Sequence, residues 1–160
     1  MRSYQIFAAM SPERATDVMR AIAEQAPVMF ATALQLAGAT LKTRPTYLQR
    51  QPFDRRASAI RRALARVASN SIAEEALAVY FIECRKDLLI EWLDLLGVEH
   101  EDGILSDEAP SPPAEAELRK SAERFLAAGG DADRELLLRA FAAQESIAWP
   151  VLDALLDAKP

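Results

Sequence analysis

Hydrophobic residues recur at helical spacing along most of the chain, and their densest run lies between Ser71 and Gly97. Ala76 to Ile82 is apolar without a break, and Cys84, Leu88, Leu89, Ile90, Trp92, Leu93, Leu95 and Leu96 extend it. A helix this apolar needs neighbours on more than one side, so the pattern predicts one long core helix. Ser71 followed by Glu74 has the spacing of a capping box at its start. Gly97 supplies the residue that tolerates a left-handed turn at its end.

Six further helical stretches follow from the same spacing. Ser11 as cap and Pro12 in the first turn open a helix to about Ala26, with Val18, Met19 and Ile22 on its apolar face. Pro27 starts a second helix to about Thr43, uncharged from Val28 to Leu41, in which Gly38 and many alanines allow close approach of a neighbour. Arg44-Pro45 stops it, because the residue before proline is pushed out of the α region, and Tyr47-Leu48 falls in a short connector. A third helix, Pro52 to Ala68, carries Phe53, Ala57, Ile60, Leu64 and Val67 inward. Downstream, Ala114 to Ala128 and Ala132 to Ala148 read as helices separated by Gly129-Gly130, with Asp131 or Asp133 as cap. After Pro150, Val151 to Leu156 forms a short amphipathic end.

The resulting expectation is an all-α protein, an antiparallel bundle of about four helices with a C-terminal helical hairpin. The bundle core covers 1–105, a Pro-rich acidic linker 106–113, and the hairpin 114–160, packed on the same domain. At 160 residues, 51% hydrophobic and 27% charged, the chain has ordinary globular composition and enough length for one core. No apolar run approaches the roughly 20 residues that span a bilayer, and Met1 to Met10 is too weakly apolar for a secretory signal. With Cys84 as the single cysteine there is no internal disulfide framework and no multi-cysteine zinc site. A cytoplasmic protein with no membrane partner is expected.

Charge changes the picture more than composition does. The net charge is −5, yet Arg44 to Arg66 holds seven arginines and one acid, Asp54, whereas Glu74 to Glu117 holds thirteen acids against Arg85 and Lys86. On a continuous helix Glu83, Asp87, Glu91 and Asp94 would share one face. Arg55, Arg62 and Arg66 would share a face of the preceding helix, so the two stripes are expected to pair across the hairpin. Alternatively, Arg55, Arg56, Arg61, Arg62 and Arg66 form a basic patch for nucleic acid or another acidic partner.

Candidate chemistry is sparse. The acid stripe resembles half a bundle metal site, but the Glu-x-x-His pairs such sites use do not occur. His100 stands among Glu99, Glu101 and Asp102. Aligning Gly103 with the glycine of an EF-hand loop puts Val98 and Ala109 where acidic ligands belong. Cys84 has only His100, past the helix end, as a possible imidazole base. No phosphate-binding Gly-rich loop, nucleophile elbow or His-Glu-x-x-His occurs. No catalytic residue, metal or cofactor is therefore assigned. The expected function is a non-catalytic protein that binds another protein or itself, through Tyr47, Leu48, Ile104, Leu105, Trp149 and Val151. Nucleic-acid binding by the arginine helix is the first alternative. A carboxylate-based metal protein or enzyme, using Glu83, Asp87, Glu91 and His100, is the second.

Overall fold

A computed structural model describes residues 1–107 and 109–158. Glu108, within the Pro-rich stretch, and Lys159 and Pro160, at the end of the expected hairpin, lie outside the described residues. The chain is all-α: ten α-helices are found among the described residues, with one two-stranded hairpin. Its contacts divide it into two compact units, Arg2–Cys84 and Arg85–Pro160 with Met1.

The N-terminal unit contains α1 (Ser3–Ala9), α2 (Pro12–Gln25), α3 (Pro27–Thr40), α4 (Pro45–Gln49), α5 (Phe53–Leu64) and α6 (Asn70–Val79), followed by a π turn at Tyr80–Cys84. Helices α2, α3 and α5 pack on one another, α6 lies mainly against α1, and the π turn against α2. The cap expected at Ser11 is present, its hydroxyl accepting the Arg14 N–H at 3.1 Å. Ile60 and Leu64 of α5 and Val18, Met19 and Ile22 of α2 are buried. Each such side chain contributes about 1.5–3 kcal/mol when fully enclosed. Gly38 does permit a close approach, but its neighbour is the chain entering α4. A Cβ there would meet the Thr43 carbonyl at 3.1 Å, with Pro45 and Leu48 beyond it.

Two local expectations are corrected in this unit, and one helix, α1, comes in addition to those read from the sequence. Met1 to Met10 contains a helix, α1, whose Ile6, Phe7 and Met10 are buried. Tyr47 and Leu48 stand on a helical turn, α4. The capping box of Ser71 and Glu74 does not mark a helix start, because the chain enters α6 at Asn70 directly from a 3₁₀ turn, Val67–Ser69.

The largest correction concerns the stretch from Ser71 to Gly97, which is two helices. After the π turn, Arg85 leaves helical geometry at φ −132° and ψ 43°, and α7 begins at Lys86. An inserted residue in a π turn rotates everything beyond it by about 100°. Glu83 therefore lies on a different element from the carboxylates of α7, and it belongs to the other compact unit.

The C-terminal unit comprises α7 (Lys86–Leu96), the hairpin strands β1 (His100–Glu101) and β2 (Ile104–Leu105), α8 (Glu115–Ala127), α9 (Ala132–Ala143) and α10 (Pro150–Asp157). Gly97 ends α7 as expected, at φ 69°, with Gly97 N–H bonded to the Asp94 carbonyl and Val98 N–H to that of Leu93. This is a Schellman closure. The stretch tested above against an EF-hand loop is a β-hairpin, pairing His100 with Leu105 and Glu101 with Ile104 around Asp102-Gly103, both at positive φ. An aromatic cluster fills the core: Trp92 against Phe125 (5.4 Å) and Phe141 (6.1 Å), and Phe141 against Trp149 (5.2 Å).

Candidate binding surface

The boundary between the compact units is also a boundary in charge. Arg2–Cys84 carries eleven basic and seven acidic side chains, net +4, while Arg85–Pro160 carries eight and seventeen, net −9. Asp87, Glu91 and Asp94 thus belong to a different unit from the arginines, and these carboxylates of α7 have partners within their own. Glu91 receives a two-pronged hydrogen bond from Arg134, at 2.8 and 2.9 Å. The same guanidinium stacks on Phe125 and donates to its carbonyl. The Glu91 carboxylate is the main reason that the Arg134 pKa is raised, against the opposing effect of burial. Asp87 pairs with Arg85, which also holds Asp131 and Asp133 at the start of α9. Asp94 meets His100 Nε2 at 2.7 Å, while His100 Nδ1 accepts the Gly103 N–H at 3.1 Å. His100 accordingly clamps the hairpin to α7. Among the described residues no three of His, Cys, Asp and Glu gather as a metal site would require.

Arg55, Arg62 and Arg66 lie in the N-terminal unit, apart in sequence from these pairs. All three are exposed and none has a carboxylate within 4 Å among the described residues. They also do not share one helical face, since α5 ends at Leu64 and Arg66 is extended. Arg55 lines a cleft between the first turns of α2 and α5 together with Glu13 and Asp54. Arg61 points elsewhere: it donates to the carbonyls of Met10 (2.6 Å) and Ala8 (3.1 Å) at the end of α1. Those carbonyls have no partner within their own helix, so Arg61 acts as a C-terminal cap. Arg56 is half-buried, its guanidinium 5.1 Å from the Phe53 ring centroid and 5.8 Å from that of Phe30. Arg20, which the sequence reading did not single out, stacks on Phe53 at 4.6 Å. Its only sequence signal is a charge opposite the buried stripe of α2.

The residues proposed from sequence as interface anchors fall in both compact units. Tyr47 is 58% exposed, whereas Leu48 is buried beside Gly38. Ile104 is 64% exposed on the hairpin, and Leu105 and Val151 are half-buried. Trp149 is enclosed, with Nε1 donating to the Pro110 carbonyl at 3.0 Å. Cys84 is half-buried in the π turn. Burial foremost, then the carboxylates of Glu83 and Glu24, raises its pKa. A thiol raised in this way contributes stability that is intact below its ordinary ionisation range and lost as pH climbs through the higher folded value. Alkylation by iodoacetamide at mildly alkaline pH should accordingly run slower than for a free thiol, and an equal rate would show that the thiol is open.

A mutational coupling checks the charge assignment. In a double-mutant cycle, Glu91→Gln and Arg134→Gln should couple by about 1 kcal/mol or more, as partly buried, two-pronged pairs do. Glu91→Gln and Arg62→Gln should be additive. Coupling in the second pair and none in the first would reverse the assignment.

Compared with known protein families, curated proteins and solved structures, the chain matches none. Among the described residues no helix is long and apolar enough to cross a membrane.

Proposed function

We propose that the protein is a non-catalytic binding protein of the cytoplasm that presents the arginine face of its N-terminal unit to an acidic surface on another protein. One observation supports this above the others: Arg62 and Arg66 are exposed and without carboxylate partners among the described residues, while the carboxylates of α7 are engaged within their own unit. Guanidinium charge left unpaired on a folded surface is available to steer and hold an anionic partner. The acidic C-terminal unit of a second copy is one such surface. Nucleic acid is another polyanion, and the titration below separates it from an acidic protein surface.

The test is titration with a polyglutamate peptide and, separately, with duplex DNA, at low and at physiological salt. The peptide should bind, more weakly as salt rises, and Arg55→Glu/Arg62→Glu/Arg66→Glu should reduce affinity by about tenfold or more. These positions are exposed, so the variant should keep the wild-type melting curve. DNA binding without peptide binding would replace this reading with nucleic-acid recognition. Binding of neither would reject it.

A further inference from the structure

Three helices converge on a cluster that shares only Arg56 with the basic patch read from the sequence. Phe30 of α3 and Phe53 of α5 stack with centroids 5.6 Å apart and planes 13° from parallel. Arg20 of α2 lies 4.6 Å from the Phe53 centroid, and Arg56 of α5 lies 5.1 Å from it. Two like charges are thus held at one ring. Neither guanidinium has an ion pair or hydrogen bond among the described residues, although Asp17 and Glu24 lie within about one turn of Arg20 on α2, and Asp54 is two residues from Arg56. Arg56 Nε is enclosed without an acceptor.

The geometry leaves a specific capacity unused. A guanidinium held against a ring by cation–π attraction can still donate through N–H groups that the ring does not cover, and those of Arg20, which is exposed, have no partner among the described residues. The rings also restrict the side chains before any ligand arrives, which lowers the entropy lost on binding. An anion that reaches this cluster would offset the positive charge gathered at the Phe53 ring and accept charge-assisted hydrogen bonds.

We propose that Arg20 and Arg56, held on the Phe53–Phe30 stack, form an anchor site for an oxyanion-bearing peptide side chain, a carboxylate or a phosphate. The site rests on the protein-binding reading above and names the point at which the acidic partner is gripped. The test compares three peptides of one sequence, carrying glutamate, phosphoserine or glutamine at the central position, by calorimetry and by the Nε–H resonances of the arginines. The glutamate or phosphoserine peptide should bind and shift the Arg20 and Arg56 resonances, and the glutamine peptide should not. The tighter of the two binders identifies the source of the oxyanion. Arg20→Gln and Arg56→Gln should each weaken binding by about tenfold. Phe53→Leu, which keeps both arginines but loosens their placement, should weaken it by about threefold. Arg20 is exposed, so its variant should fold even where Arg56→Gln does not.

Affinity that survives Arg20→Gln and Phe53→Leu but is lost in the Arg55/Arg62/Arg66 variant would overturn the anchor and leave the α5 reading intact. Oxyanion-dependent shifts at Arg20 and Arg56 in a protein that fails to bind polyglutamate would keep the anchor and discard the broader surface. Absence of binding by all three peptides would overturn the anchor.

Discussion

Replacing Trp92 by alanine should destabilise the C-terminal unit by about 3–5 kcal/mol, the range for deleting a large aromatic from a closed core. Trp92 is fully enclosed and packs on both Phe125 and Phe141, and Phe141 in turn packs on Trp149. Removing it leaves a cavity at the point where α7, α8 and α9 meet. Phenylalanine should behave very differently. The Trp92 Nε1–H is buried without an acceptor among the described residues, and an unsatisfied donor costs about 1–3 kcal/mol. Trp92→Phe removes that cost while keeping a ring in contact with both neighbours, so its net loss should be a small fraction of the alanine loss. Both tryptophans of the chain lie in this unit. Urea unfolding followed by the remaining Trp149 fluorescence therefore reports on it selectively. Equal losses for the two variants would mean that the indole N–H is satisfied in solution.

The elements that could be read from the sequence are those whose signal is local. Ser11-Pro12, Pro27, Gly97 and Asp131 mark real helix ends because caps, first-turn prolines and left-handed glycines act within a few residues. Asp102-Gly103 carried an equally local hairpin signal, obscured by reading the surrounding acids as a possible metal loop. The break at Arg85 has no such mark. Neither proline nor glycine occurs between Ser71 and Leu96, and the apolar pattern runs across the interruption. Without the break, the acid stripe and the arginine face looked like complementary neighbours. With it, Glu91 belongs to Arg134, which lies 43 residues further along the chain. The candidate site was legible as charge and not as geometry. Arg62 and Arg66 stand out in a list of cations, but the stacking of Arg20 and Arg56 on one ring depends on the convergence of α2, α3 and α5.

Loss of the Arg85 guanidinium should weaken the C-terminal unit by about 3 kcal/mol, because it takes an ion-pair partner away from a buried carboxylate. The Asp133 side chain is 4% exposed and Arg85 is its ion-pair partner; the same guanidinium bonds Asp131 at 2.7 Å and Asp87 at 3.3 Å. The Asp131 hydrogen bond is the main cause of the raised Arg85 pKa, burial works against it, and Asp87 adds to it. A cation raised in this way contributes fully at every pH below arginine's ordinary value, so the contribution is not lost on the alkaline side of the working range. Arg85→Met should therefore cost about as much at mildly alkaline as at neutral pH. Adding Asp133→Leu should recover much of the loss, since a buried pair replaced on both sides no longer leaves a lone charge. Hydrogen exchange locates the effect: amides of α7 and α9 should lose protection while those of α2, α3 and α5 keep theirs. Arg85 is the first residue of its unit, so its side chain ties the start of α7 to the start of α9. Equal loss of protection in both units would show that they unfold as one, and that Arg85 stabilises the whole chain.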